Sequence, residues 1–304
     1  MAAKATSCTN FLKEALILPT RNRKLFTPVL LLLTVTSFLV SSVHVLFLRS
    51  FTDDMVSHLI EIKDTNPSSY RYAYLLEATK QDAVIAIPEL AIALAVGLVV
   101  QILAFFAAST TYSGECHTLA KLVREISKGS TLQGPSVTVA VVTALSLAWM
   151  AVLGVLLFVT MRGRPALSVQ GIVFVLALLA FFCFTVLAVV SVTVSVADEE
   201  YRGVPALGQA WRLMTRVRRK EGLVLVLLAY LLQTVVNLVY GVVLVYANKS
   251  MAACLGMLVV YSFVSGAHQL FYLAAATVYY HEAVESKEVS PCDCAKIQSR
   301  EGNF

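Results

Sequence analysis

The residue types that most often catalyse reactions or bind metals are present in this 304-residue chain, but their spacing forms no known catalytic motif. The five histidines are scattered, and no H-E-x-x-H, Walker lysine loop or nucleophile-elbow pattern occurs. Cys292 and Cys294 form a C-x-C pair without the second cysteine or histidine pair of a zinc site. We therefore predict no catalytic residue, no metal ion and no cofactor, and a solvated or acylated C-terminal tail.

Polar side chains in the last two apolar segments form the best candidate for an internal site. The set is Gln233, Asn237, Ser265 and His268. A short turn at 248–250 would fold the last segment back, so that Gln233 lies near Ser265 and Asn237 lies near Tyr261. Uncharged amides in lipid commonly form hydrogen bonds between helices, and less often mark a transport pathway. We favour the structural role and keep a transport site as the alternative.

The elements that must position these residues are membrane spans. Hydrophobic residues make up 58% of the chain and charged residues 14%, whereas soluble domains carry about 25% charge. Six stretches reach the roughly 20 residues that a hydrocarbon core requires, and they do not alternate in polarity as the strands of a β-barrel do. They are 28–48, 83–108, 136–161, 169–197, 223–247 and 251–280. We predict an all-α polytopic membrane protein with six transmembrane helices and short cytosolic amphipathic helices.

The distribution of Lys and Arg predicts the orientation of these spans. The connections on the side of the two termini hold 17 of these residues, and the opposite side holds seven. Because positive charge favours the cytosolic side, both termini are expected in the cytosol, in an endomembrane or the plasma membrane. The domains are then a cytosolic N-terminal segment (1–27), a six-helix transmembrane domain (28–280) and a cytosolic tail (281–304). The outer segment 49–82 is expected to hold one short helix and a break at Asn66-Pro67-Ser68.

A basic stretch follows the fourth span and predicts an amphipathic helix over 205–222. Pro205 suits an early helical position and Gly222 suits a helix stop. Arg218 lies near the edge of the apolar face, so its guanidinium would have to extend towards water. The predicted apolar face consists of Leu207, Ala210, Trp211, Met214 and Val217. The residues expected to contact the membrane surface or a partner are Trp211, Arg212, Arg216, Arg219 and Lys220.

Two further patterns concern packing. Leu119, Leu122, Val123 and Ile126 recur at helical spacing after the second span and predict a second amphipathic helix. Small residues four apart include Ala252 with Gly256 and Ser262 with Gly266. Such pairs allow close helix packing, either within the bundle or between protomers.

Three segments carry a resemblance to known families. They are FLKEALILPTRNRKLF before the first span, YSGECHTLAKLVREI after the second and ADEEYRGVPALGQAWRLMTR after the fourth. These segments are similar to those of a large plant family of six-span membrane proteins of uncharacterised function. The similarity extends over nearly the whole chain. A more distant resemblance is to the membrane domain found beside bacterial glycerophosphodiester phosphodiesterases. The resemblance implies a fold and no phosphodiesterase activity, because the catalytic domain with its metal-binding acids is absent.

Together these patterns favour a non-enzymatic membrane protein that acts through cytosolic basic helices in membrane organisation or trafficking. Expected partners are the lipid bilayer with its anionic headgroups, and other proteins or a second copy of the chain. Nucleic acid is disfavoured, since the basic run leads at once into the fifth span. The alternative is a transporter or channel for a small solute, motivated by the polar set above and by Glu89.

Overall fold

The computed structural model describes residues 10–66, 68–115, 117–128, 133–162, 169–198, 200–247 and 250–301. These residues form ten α-helices, two π-helical turns and no strand, which confirms the all-α prediction. The helices are α1 (Asn10–Arg21), α2 (Arg23–Val43), α3 (Arg49–Asp64), α4 (Tyr70–Tyr112), α5 (Leu119–Lys128), α6 (Gln133–Arg162), α7 (Val169–Ala197), α8 (Val204–Arg212), α9 (Arg219–Ala247) and α10 (Met251–Glu301). The π-helical turns are His44–Leu48, between α2 and α3, and Leu213–Val217, after α8.

Among the described residues, six helical segments are long and apolar enough to cross a membrane. They are Arg23–Leu48, Ala91–Tyr112, Gln133–Thr160, Val169–Ala197, Arg219–Ala247 and Met251–Ser286. Five agree with the predicted spans to within about six residues at each end. The second begins at Ala91 instead of 83, inside a helix of 43 residues. At about 1.5 Å per residue α4 is about 65 Å long, roughly twice a hydrocarbon core, so the start of the helix does not mark the start of the span.

The segment predicted as a loop at 49–82 is almost entirely helical. α3 accounts for the predicted short helix, and the chain leaves the helical conformation between α3 and α4, near the predicted break. Ser69 caps the N-terminus of α4, because its hydroxyl accepts a hydrogen bond from the backbone N–H of Tyr72 at 3.2 Å. The helical start of α4 before the second span was not predicted.

Contacts between helices divide the chain into two compact units. Unit 1 contains the described residues of Met1–Val29, Ile102–Gln233 and His268–Phe304. Unit 2 consists of Leu30–Gln101 and Thr234–Ala267. The candidate surface helix α8 belongs to unit 1.

In unit 1, α7 packs along α6 and against α8. The Trp149 indole of α6 donates a hydrogen bond to the Ala177 carbonyl at 3.3 Å and stacks on Phe184, with ring centroids 6.0 Å apart. The run Leu273–Tyr280 of α10 is buried at every position, so this part of the helix is enclosed on all sides. The three alanines in the run allow neighbouring helices to approach closely.

Unit 2 is built on the hairpin of α9 and α10 and on the α2–α3 helices. One buried apolar cluster of this unit is formed by Val45, Val243, Cys254 and Leu258. The Arg49 guanidinium donates to the Leu244 carbonyl at 3.3 Å, near the C-terminal end of α9, where unpaired carbonyls favour a cation. An ion pair between Arg71 and Glu61 joins α4 to α3.

Candidate membrane-surface site

The predicted basic segment forms α8, the π-helical turn after it and the first turn of α9. Pro205 lies in the first turn of α8, as predicted, where an N–H would have no helical partner. The buried residues of the segment include Ala206, Ala210 and Leu213. They recur at helical spacing and attach α8 to unit 1, where α8 contacts α7 and α6.

The predicted apolar face is divided between the interior and the surface. Ala210 is buried, but Trp211 is 58% exposed and Val217 is 37% exposed. The π-helical turn Leu213–Val217 explains part of this difference, because it adds a residue to the helical turn and rotates the positions that follow. Trp211 precedes this turn, and its own exposure shows that its side chain faces away from the bundle, near the cations of the segment.

Four cations of the segment share this exposed environment. We define the basic surface as Trp211, Arg212, Arg216, Arg219 and Lys220, all of which are exposed. α9 begins at Arg219, which is also the first residue of a candidate span. The basic surface thus adjoins the end of a membrane span, where cations and tryptophan are favoured.

Arg218 differs from these neighbours because its side chain turns inward and is 15% exposed. Its Nε lies 3.1 Å from Glu221 Oε2 and donates to Ser286 Oγ at 3.0 Å. Its Nη1 donates to Glu282 on α10. The sequence pattern had placed Arg218 at the edge of an apolar face, with its guanidinium reaching towards water. That interpretation is wrong, because the guanidinium forms ion pairs with two carboxylates and a hydrogen bond with a hydroxyl inside the protein.

Arg218 also ends the helical segment, with φ −127° and ψ 61°. Gly222 was predicted to stop the helix, but it lies inside α9, so that prediction is wrong. A Cβ at Gly222 would lie 3.2 Å from Tyr279 Oη and 3.4 Å from the Met214 carbonyl oxygen. Glycine at this position permits the close approach of the helices, and the Tyr279 hydroxyl donates to the Arg218 carbonyl at 3.5 Å.

The N-terminal end of α8 is fixed on α6. The Gly203 N–H donates to Thr138 Oγ1 at 2.8 Å, and Thr138 Oγ1 donates to the Gly134 carbonyl at 3.0 Å. Gly203 has φ +63° and ψ −125°, a conformation that residues with a Cβ rarely adopt. The α8 segment is therefore held at both ends, by α6 at its start and by α10 at Arg218.

A surface helix that the sequence analysis did not predict precedes the first span. α1 buries Phe11, Ala15 and Leu18, which recur at helical spacing along one side. The Phe11 ring meets Tyr279 edge to face, with centroids 6.1 Å apart and an interplanar angle of 67°. The buried positions follow a helical spacing within the segment FLKEALILPTR, so this face is a property of the local sequence.

The intramembrane polar set is divided between exposed and buried positions. Gln233 and Asn237 are exposed on α9, Ser265 is buried on α10, and His268 is partly buried. Gln233, Asn237 and Ser265 each have an interaction partner, and the choice between a structural role and a transport site stays a prediction. His268 stacks on Tyr272, with ring centroids 6.2 Å apart and an interplanar angle of 8°.

The remaining predictions concern metal ligands, the C-terminal tail and Glu89. Over the described residues, no group of three or more His, Cys, Asp or Glu side chains could hold a metal ion. The predicted tail 281–304 continues α10 as far as Glu301, and the side chains of Cys292 and Cys294 lie outside the described residues. The side chain of Glu89 also lies outside them.

The residues that fix the site were only partly visible in the sequence. Arg218 and Glu221 are three residues apart, a spacing at which helical side chains meet. Glu282, Ser286 and Tyr279 are more than 60 residues away, and no local pattern connects them to Arg218.

No known family model, curated protein or solved structure matches the chain. The class is therefore defined by the fold and the site. The chain is an integral, multi-pass, all-α membrane protein with amphipathic helices attached to one of its two units.

Proposed function

We propose that this chain is a non-enzymatic membrane protein whose cytosolic surface helices bind anionic phospholipid headgroups and partner proteins, in membrane organisation or trafficking. The observation that carries the proposal is that most cations of the basic segment are exposed, whereas one side chain turns inward. Trp211 and four cations are exposed at the end of a span, whereas Arg218 is taken up by internal carboxylates.

The charge distribution supports a cytosolic position for the basic surface, since 17 of the 24 Lys and Arg residues fall on the side of the termini under the predicted topology. The cytosolic leaflet carries most anionic lipid, and each cation close to it contributes about 1 kcal/mol at low salt. Trp211 supports the same position, because indole rings favour the headgroup layer. The resemblance to the plant six-span family stays a prediction and agrees with this proposal in fold.

The test replaces the four cations of the basic surface with glutamine in the full-length protein. The R212Q/R216Q/R219Q/K220Q variant is expected to retain less phosphatidylserine during purification, measured by mass spectrometry of the co-purified lipid. The matched control, R212K/R216K/R219K, keeps the charge and is expected to retain as much as the unmodified protein. Unchanged lipid retention, localisation and partner capture in the glutamine variant would contradict the proposal.

A transporter or channel for a small polar solute is the second candidate, and one observation favours it. His268 Nε2 and Tyr272 Oη are buried, and neither has a hydrogen-bond partner among the described residues. Unpaired polar atoms are costly in a membrane-spanning helix and are satisfied by polar occupants or internal water. Reconstituted protein should then move a solute that H268L does not move. Absence of flux across a broad solute panel would contradict this candidate.

A further inference from the structure

α1 presents a second apolar face on the side opposite the one it buries. Leu16 is 62% exposed and Ile17 is 41% exposed. At 3.6 residues per turn they lie across the helix from its buried residues. Exposed cations lie one helical turn before this pair and, after the end of α1, at the first two positions of α2. They are Lys13, Arg23 and Lys24. We define these five residues as the α1 outer face.

Contacts at both ends determine the direction of α1. At its start, the Phe11 ring meets Tyr279 of α10. Just after its end, Asn22 Nδ2 donates to the His117 carbonyl at 3.2 Å. One contact on α10 and one on the connection between α4 and α5 hold α1 against unit 1 at both ends, so the buried and outer faces are fixed.

Both contacts lie at the same end of the bundle. Tyr112, the last residue of α4, stacks on His281 of α10 with ring centroids 4.4 Å apart and an interplanar angle of 11°. His117 follows Tyr112 by five residues, and Tyr279 precedes His281 by two. α1 therefore runs across the end of unit 1 and does not project away from it.

The same end of unit 1 carries the basic surface. Tyr279, which is fully buried, contacts Phe11 of α1 and donates to the Arg218 carbonyl beside α9. Tyr279 thus joins α1 to the junction of α8 and α9. The α1 outer face and the basic surface have no residue in common, but the same tyrosine anchors both.

We propose that the α1 outer face binds anionic phospholipid at the membrane surface. Leu16 and Ile17 enter the boundary between headgroups and acyl chains, and Lys13, Arg23 and Lys24 contact lipid phosphates. A lipid leaflet fits this face better than a protein does, because aliphatic and cationic side chains share it and Arg23 begins a candidate span. The proposal rests on the proposed function for its cytosolic side and adds a binding element to it.

A depth measurement tests the apolar part of the face. In a full-length chain whose native cysteines are replaced, an environment-sensitive fluorophore is attached at I17C and the protein is reconstituted in vesicles of phosphatidylcholine and phosphatidylserine. Emission is expected to shift to the blue and to be quenched by a lipid with a spin label near its headgroup. Probes at L231C, exposed within a span, and at E77C, exposed outside the spans, give the deep and the aqueous controls.

If the emission and quenching of the probe at position 17 match those of the aqueous control, the proposal is overturned. That result would favour a protein partner for this face. Because Ile17 and the three cations are exposed, the variants are expected to fold, and thermal melting of each purified variant checks this.

A charge variant tests the cationic part and separates this proposal from the proposed function. K13Q/R23Q/K24Q is expected to lower phosphatidylserine retention by about fivefold for each cation at low salt. The charge-preserving control K13R/R23K/K24R is expected to retain as much phosphatidylserine as the unmodified protein. If this variant loses lipid while R212Q/R216Q/R219Q/K220Q does not, the proposed role of the basic surface fails and that of α1 stands. Unchanged retention in K13Q/R23Q/K24Q overturns the α1 proposal alone.

Discussion

Arg218 and Arg219 are identical neighbours whose surroundings are opposite. Arg218 is held by Glu221 and Glu282 inside unit 1, and Arg219 is exposed at the start of α9. Burying an unpaired carboxylate costs several kcal/mol, so the pairing partners of Arg218 depend on it. Residues of one type in one basic run therefore serve two purposes, anchoring the run and facing the membrane surface.

The two arginines should respond very differently to removal. R218A leaves two partly buried carboxylates without their cation and is expected to destabilise the protein by about 3 kcal/mol. R219A removes an exposed side chain and is expected to cost about 0.5 kcal/mol or less. Thermal unfolding in a mild detergent measures both. Equal melting temperatures for the two variants would show that the Arg218 cluster contributes little to stability.

At the level of helices, the two small-residue pairs of α10 have the same spacing but different surroundings. Gly266 lies against α2 in unit 2, where a Cβ would be 2.7 Å from Thr34 Oγ1 and 3.1 Å from the Thr34 backbone nitrogen. A Cβ at Gly256 would meet nothing within 4 Å. The predicted pair Ser262 and Gly266 therefore packs the protein internally, whereas Gly256 belongs to an open surface of the same helix.

Alanine at these two glycines is expected to have effects of opposite sign. G266A forces Thr34 and its backbone to move, at a cost of about 1–3 kcal/mol. G256A introduces a better helix former without a clash, and is expected to raise stability by up to about 1 kcal/mol. Melting temperatures of the purified variants measure the difference. A stability loss in G256A as large as that in G266A would indicate a close partner at Gly256, such as a second copy of the chain.

At the scale of the whole molecule, continuous helices extend beyond the spans that they contain. α4 begins 21 residues before its span, at Tyr70, and α10 continues past Ser286 to Glu301. Glu77 lies outside the candidate spans, Glu285 lies one residue before the end of the last one, and both side chains are exposed. Their exposed positions make them suitable reporters of orientation.

Charge distribution predicts that Glu77 and Glu285 lie on opposite sides of the membrane. In sealed vesicles that expose the cytosolic side, a membrane-impermeant maleimide is expected to label E285C and not E77C in a background without other cysteines. Permeabilisation should make both accessible, which serves as the control. Labelling of E77C in the sealed vesicles would contradict the predicted orientation.

The all-α class, the six spans and the basic character of the segment around Trp211 follow from the amino-acid sequence alone. These depend on composition, helical period and local charge, which are properties of neighbouring residues. Tertiary contacts, in contrast, turn the Arg218 side chain inward, allow Gly222 to lie within a helix against Tyr279, and join α1 to the basic segment through Tyr279. Each of these outcomes depends on a contact between residues distant in the chain, such as Arg218 with Glu282, and the free energy of such a contact is set by packing and burial.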